Sequence, residues 1–207
     1  MKHSAAFWNF IARRYSNQAI SDQDSYEYKL DETRKIFHDG MCVLELGCGT
    51  GGTSVLHSEH VAHIHATDLS ENMIEIARGR AADAGVENVS FECISTDEFA
   101  FEGEVYDVVL ALSLLHLLKN RREVIASIYK TLKPGGYFVS STVCVADSMA
   151  AFKYIAAFFR LFSFLPYVES LSAEALKEEI VAEGFEVEHY WRPASDKAAF
   201  MIAKKPH

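Results

Sequence analysis

From residue 41 to the end of the chain, short apolar runs alternate with longer stretches of helical spacing. The first run, Met41-Cys42-Val43-Leu44-Glu45-Leu46, is mostly apolar and of strand length, as expected for a strand buried on both faces. Similar runs predict strands near 41–46, 61–67, 89–94, 105–112, 136–143, 185–191 and 198–203. Between them, Ser70 followed by Glu71, with Met73, Ile76 and Ala77 on one face, predicts a capped helix that ends near Gly85. Lys119 to Leu132 predicts another, stopped by Lys133-Pro134-Gly135-Gly136, where Pro blocks continuation and the glycines permit a turn into the next strand. Ser172-Ala173-Glu174-Ala175 caps the last helix. Such alternation implies a parallel sheet with helices against it.

Two departures refine the picture. The last two strands are joined by about seven residues, Arg192 to Ala198, too short for the dozen or more that a parallel crossover needs, so the final strand runs antiparallel to its neighbour. Ahead of the first strand, Phe7, Ile11 and Tyr15 at helical spacing, then Tyr26 and Leu30, predict a helical cap over residues 1–40. The expected organisation is one domain over 1–207, with the sheet in 41–207. A hydrophobic helical insertion is expected near 147–168, where Phe152, Tyr154, Phe158, Phe159 and Phe162 leave only Lys153 and Arg160 on a thin polar strip.

The formal charge of −9, from 20 Lys+Arg against 29 Asp+Glu, argues against nucleic acid, whose phosphates call for basic side chains. Cys42, Cys48, Cys93 and Cys144 form no Cys-x-x-Cys pair, which fits reduced thiols in a cytoplasm and suggests neither a zinc knuckle nor a disulfide framework. The first ten residues show no secretion signal, and Lys153, Arg160 and Pro166 interrupt the most apolar window, so no membrane insertion is expected. The run from His57 to His65 lacks the helical pair or cysteine partners of a zinc site, and no metal is expected.

The sharpest motif is Val43-Leu44-Glu45-Leu46-Gly47-Cys48-Gly49-Thr50-Gly51-Gly52, a strand running into a glycine-rich turn and a helix start. Glycines let backbone approach a ligand that a Cβ would repel, and the helix start offers free N–H groups. At the end of the second strand, Asp68 lies 21 positions beyond Gly47, suited to accept both hydroxyl protons of a ribose. Gly47, Gly49 and Gly52 also satisfy G-x-G-x-x-G, so the glycines alone do not separate a nicotinamide dinucleotide from another nucleoside cofactor. Glu45 favours the latter: an acid there repels a pyrophosphate and welcomes a cationic amino-acid moiety.

With these motifs the chain resembles the class I S-adenosylmethionine-dependent methyltransferases, in particular the small-molecule branch labelled methyltransferase type 11 or ubiquinone-biosynthesis-like. The resemblance rests on Val43 to Gly51, on Asp68, on Tyr106 to Leu118 as fourth strand and following loop, and on Leu132-Lys133-Pro134-Gly135-Gly136 before the fifth strand. It implies an α/β fold, a Rossmann-like doubly wound sheet of seven strands with the last antiparallel, preceded by the helical cap. It also implies S-adenosylmethionine as cofactor and S-adenosylhomocysteine as product. By resemblance, Gly47, Gly49 and Gly51 contact the methionine part, Asp68 holds the ribose, and Leu69 and Met73 flank the adenine; Glu45, Cys48, Thr50 and Leu112 are further cofactor-binding candidates. Tyr15 of the cap folds over the cofactor. Many relatives place an Asp after the third strand to meet the adenine amine; here Ser95 stands at that position, with Thr96 and Asp97 as substitutes.

Methyl transfer from a sulfonium needs alignment and desolvation more than a dedicated nucleophile. Where the acceptor is a hydroxyl or thiol, His116, in Leu115-His116-Leu117, is the candidate base. The acceptor is expected to be a small apolar or aromatic metabolite. The competing readings are a nicotinamide oxidoreductase and a cofactor-binding regulator that has lost turnover. Oligomeric state is not legible.

Overall fold

The computed structural model describes residues 2–148 and 167–207. Its elements run α1 (Lys2–Ser16), α2 (Gln23–Arg34), β1 (Cys42–Leu46), α3 (Gly52–His57), β2 (His63–Asp68), α4 (Glu71–Asp83), β3 (Val89–Cys93) and β4 (Tyr106–Leu112). They continue with α5 (Arg121–Thr131), β5 (Leu132–Thr142), α6 (Val145–Ser148), α7 (Ala173–Ala182), β6 (Glu186–Trp191) and β7 (Ala199–Lys204). Apart from its ends, the aromatic stretch expected as an insertion near 147–168 lies outside the described residues.

The strands form one sheet in the order β3-β2-β1-β4-β5-β7-β6. Neighbours among β1 to β5 pair parallel, whereas β7 pairs antiparallel with both β5 and β6. The seven-residue connection anticipates this, because it is long enough only to turn back. The order steps outward from β1 to β3, then returns to place β4 on the other side of β1. Ligands of open α/β sheets bind outside the strand C-termini at such a reversal.

Alternate residues of the central strands feed two cores. Leu44, Leu46, Val109, Ala111 and Phe138 face α5 and α7, packing on Val124, Ile125, Ile128, Leu176 and Ile180. Val43, Val108, Leu110 and Val139 face the other way, with Ile64, Ala66 and Ile74. Both faces are covered, so β1 and β4 read as nearly unbroken apolar runs.

Boundaries match the sequence reading to within a residue or two except at β5. The Lys133-Pro134-Gly135-Gly136 stretch is part of that strand and not a turn before it. Leu132 already pairs with Tyr106, and the register shifts before Tyr137 pairs with Val108. The irregularity accommodates Pro134, which has no N–H to give a ladder, and Gly135 at φ 77°. Backbone pairing continues through it: Gly135 N donates to Lys205 O, and Lys205 N to Gly136 O.

The N-terminal helices dock at the edges of the cleft, α1 on α4 and α2 between α3 and β6. Asn9 of α1 reaches the start of α4, where its side-chain oxygen accepts from Ser70 Oγ at 2.6 Å and from Asn72 N at 3.1 Å. Ser70 Oγ in turn accepts from Met73 N, the anticipated cap. Helix α2 starts at the cap Asp22, and its Tyr28 packs on Trp191 of β6 with ring centroids 4.4 Å apart.

Gly51 leads into α3 in the left-handed region, φ 73°. A Cβ built there would lie 2.7 Å from Cβ of Ala77, so this position joins α3 tightly to α4. Gly51→Ala should lower unfolding stability by about 2–4 kcal/mol, from left-handed strain plus overpacking; urea denaturation reads this directly, and an unchanged midpoint would show that α3 and α4 can separate freely.

Candidate active site

Backbone conformation builds the floor of the site. After β1 the chain turns through Gly47, Gly49 and Gly51, with φ of 69°, 54° and 73°. A side chain at Gly47 would collide with Leu114, its Cβ lying 2.9 Å from Cδ1, whereas nothing lies within 4 Å of a Cβ built on Gly49. Gly49 therefore leaves open space above the loop.

Asp68 ties this loop to the neighbouring strand. One carboxylate oxygen accepts from Gly49 N and the other from Ser70 N, both at 2.9 Å. Burial pushes its pKa up, opposed by these backbone donors. Glu45, 3% exposed, accepts a hydrogen bond from Ser54 Oγ of α3. Its pKa is pushed up to about 7, chiefly by burial, with the Ser54 hydrogen bond opposing and the Asp68 charge adding. Two acids with no described cation bonded to either stand under one loop, so the site is electrostatically prepared for a positive group.

Above the loop opens a cleft of about 870 Å³, within the range of about 300–1,000 Å³ usual for small-molecule sites. Glu45, Gly47, Cys48, Gly49, Thr50, Leu112 and Tyr15 all line it. Tyr15 stands half-exposed at its mouth, edge-on to Trp8. Cys48 is buried and its thiol pKa raised well above the ordinary value by desolvation, which marks a small residue fitted into a turn and not a reactive nucleophile.

The remaining candidates lie off this cleft. Gly51 is turned toward α4. Leu69 adjoins Asp68, and Met73 is buried in the first turn of α4. Ser95 and Thr96 follow β3, whose end is held beside Asp68 by Ile94 N donating to Asp68 O at 3.0 Å. Ser95 Oγ donates to Glu98, and Asp97 accepts from Asn120. His116 sits in the short turn after β4, outside the cleft lining, with Nδ1 buried and burial holding its pKa down at about 4. The histidines from 57 to 65 disperse: His57 packs edge-on to Phe37, while His63 and His65 bond Ser90 and Glu92. No group of three or more potential metal ligands occurs among the described residues.

Several residues that complete the site went unread in the sequence. Arg80 of α4 donates to Thr50 Oγ1 at 2.8 Å and to Ser16 O at 2.9 Å, joining glycine loop and α1. Ser54, Tyr26, Lys29, Ser113 and Trp191 also belong to it or to its walls. One residue gives a local sign only in three dimensions: Ser113, after β4, has φ 57° and donates its N–H to Ser141 O.

Comparison with known proteins bears on what this geometry serves. A family model described as a methyltransferase domain matches residues 37–201. The chain belongs to that family. It is a class I S-adenosylmethionine-dependent methyltransferase of the small-molecule branch, with the Rossmann-like seven-stranded sheet. Among its relatives, the demethylmenaquinone methyltransferase of Leptospira interrogans is 30% identical over 96% of this chain and 91% of its own length. The ubiquinone biosynthesis O-methyltransferase of Agrobacterium fabrum is 30% identical over 81% of this chain and 74% of its own. In fold it is similar to phosphoethanolamine N-methyltransferase 2 of Haemonchus contortus, solved with phosphomonomethylethanolamine and S-adenosylhomocysteine. That match has a TM-score of 0.73 and 19% identity, over 88% of this chain and 53% of the other. The family match begins after α1 and α2, which cover the cleft ahead of it. No helix among the described residues is long and apolar enough to cross a membrane.

The buried acid of this methyltransferase has a measurable consequence. Glu45 titrates at 4.5 in its ordinary state and at about 7 here. Between those values the native state holds the extra proton, so stability falls as pH rises through the window and levels off above it. Without cofactor, the protein should lose up to about 3 kcal/mol between pH 4.5 and 7 relative to Glu45→Gln; parallel denaturation curves for the two proteins across that range would contradict the assignment.

Proposed function

We propose that this methyltransferase moves the methyl group of S-adenosylmethionine to a small apolar or aromatic metabolite, with S-adenosylhomocysteine left in the cleft. The observation that carries the reading is a cleft lined by Glu45, Gly47 and Gly49 together with Tyr26, Leu30, Leu112 and Trp191, with Asp68 set behind the lining and bonded to Gly49 N of the loop. The similarity to methyltransferases named for menaquinone and ubiquinone biosynthesis supports an aromatic acceptor.

When bound, S-adenosylmethionine supplies a methyl group activated by a sulfonium charge. Gly47 and Gly49 would let its methionine part lie against backbone, with Glu45 facing its amine. Asp68 would exchange its Gly49 N–H for ribose hydroxyls, or keep the N–H on one oxygen and accept the ribose on its free lone pairs. Leu69, Met73, Ser95 and Thr96 lie on the β2 and β3 side of the sheet, the side an adenine would reach from a ribose at Asp68. Tyr15 would close the mouth.

Positive charge on sulfur is lost as the methyl moves, so an apolar wall that excludes water favours the transition state over the charged ground state. The cleft contributes that wall and the in-line alignment. No nucleophile is required of it. A carbon or amine acceptor needs no base, and His116 is relevant only to a hydroxyl or thiol.

Calorimetry with S-adenosylmethionine, S-adenosylhomocysteine and NADH tests the cofactor assignment: binding of the first two alone supports it, and binding of NADH alone overturns it. Asp68→Asn keeps the side chain's shape and removes its charge, so it should weaken S-adenosylhomocysteine binding by about tenfold or more. Unchanged affinity in that variant would remove Asp68 from the ribose site.

A further inference from the structure

Helix α2 carries a lysine into the cleft. Lys29 is half-buried and donates to Ser141 Oγ at 3.0 Å, near the C-terminal end of β5. Burial pushes its pKa down. Among the described residues no carboxylate lies within 4.0 Å of it. Asp22, whose charge favours the ammonium, is already engaged by Lys197 Nζ at 2.6 Å and by Ser25 N at 3.2 Å. A cation partly withdrawn from water and met only by a hydroxyl is uncompensated, and an anionic oxygen arriving beside it would be held strongly.

Position in the sheet identifies which ligand that oxygen belongs to. Ser141 lies on β5, two strands from β1 and three from β2. At about 4.8 Å per strand, Lys29's anchor is roughly 10 Å across from the glycine-loop strand and 14 Å from that of Asp68. If the cofactor occupies the β1 and β2 ends, as proposed above, Lys29 stands over the acceptor end. Trp191 lines the same part of the cleft, backed by the ring of Tyr28. A flat ring against that wall with an acidic substituent toward α2 satisfies both features.

We propose that Lys29 Nζ binds an anionic oxygen of the methyl acceptor, so that the enzyme selects an aromatic acid over the corresponding neutral compound. This rests on the cofactor assignment. The same chemistry would arise if Lys29 held the carboxylate of the cofactor's methionine, and the experiment distinguishes the two sources.

The test is calorimetry on the full chain saturated with S-adenosylhomocysteine, using 3,4-dihydroxycinnamate and its amide as probes, in wild type, Lys29→Met and Lys29→Arg. S-adenosylhomocysteine is titrated separately into each protein. Wild type should bind the acid at least tenfold more tightly than the amide. Lys29→Met should erase that preference while binding S-adenosylhomocysteine within twofold of wild type, and Lys29→Arg should keep the preference. Equal affinity for acid and amide in wild type, or binding of neither, overturns the proposal. So does a tenfold loss of S-adenosylhomocysteine affinity in Lys29→Met with the acid preference intact, which assigns Lys29 to the cofactor. Failure of wild type to bind S-adenosylhomocysteine overturns the cofactor assignment beneath it. Retained cofactor affinity in Lys29→Met also establishes that the variant is folded.

Discussion

The hydrogen bond from Gly49 N to Asp68 joins the two strand ends on which the site depends. Gly47, Gly49 and Gly51 all occupy the left-handed region, which L side chains rarely adopt, so the loop after β1 follows a path that only glycine takes cheaply. A flexible loop of this composition would cost conformational entropy to order at each binding event. Asp68 on β2, Arg80 on α4 and the helix start at Gly51 hold it before any ligand arrives.

That restraint has an electrostatic price. Both Glu45 and Asp68 are withdrawn from water beneath the loop, burial raises the cost of ionising each, and the Asp68 charge adds to that cost at Glu45. The chain tolerates this because Ser54 and two backbone N–H groups donate to them. The outcome is a site that is more comfortable with a cationic ligand than without one. The opposite arrangement occurs over β5, where Lys29 donates to Ser141 Oγ and has no carboxylate within 4.0 Å among the described residues. One cleft thus has the buried acid Glu45 at the β1 end and the half-buried Lys29 at the β5 end.

The N-terminal helices wall this cleft, although they precede the family match. Asn9 and Ser16 connect α1 to α4, while Tyr26, Tyr28 and Lys29 connect α2 to α3, β6 and β5 in turn. Tyr26 and Lys29, three apart, share the face of α2 that lines the cleft, while Tyr28 lies off that face and packs on Trp191. A single helix therefore contacts both the α3 side and the β5 side of the cleft.

Local patterns were enough to read the strands, the antiparallel last strand, the Ser70 and Ser172 caps and the Gly47–Asp68 pairing of motifs. Each follows from a property written over a few adjacent residues: period, chain length of a connection, or backbone freedom of glycine. The start of β5 was misread for the same reason, since Pro134 and Gly135 locally signal a turn, and only pairing with Tyr106 and Lys205 makes them a bulge within a strand. Arg80, Ser54 and Lys29 carry no such mark, being ordinary polar residues on amphipathic helices. Their roles come from partners 9 to 112 positions away, and only the packing of α2, α3 and α4 around the strand ends brings those side chains to the site. The scaffold and the cofactor-type loop are legible in the chain because they depend on short-range backbone geometry; the placing of Arg80, Ser54 and Lys29 was decided by the fold because it depends on which distant side chains are packed together.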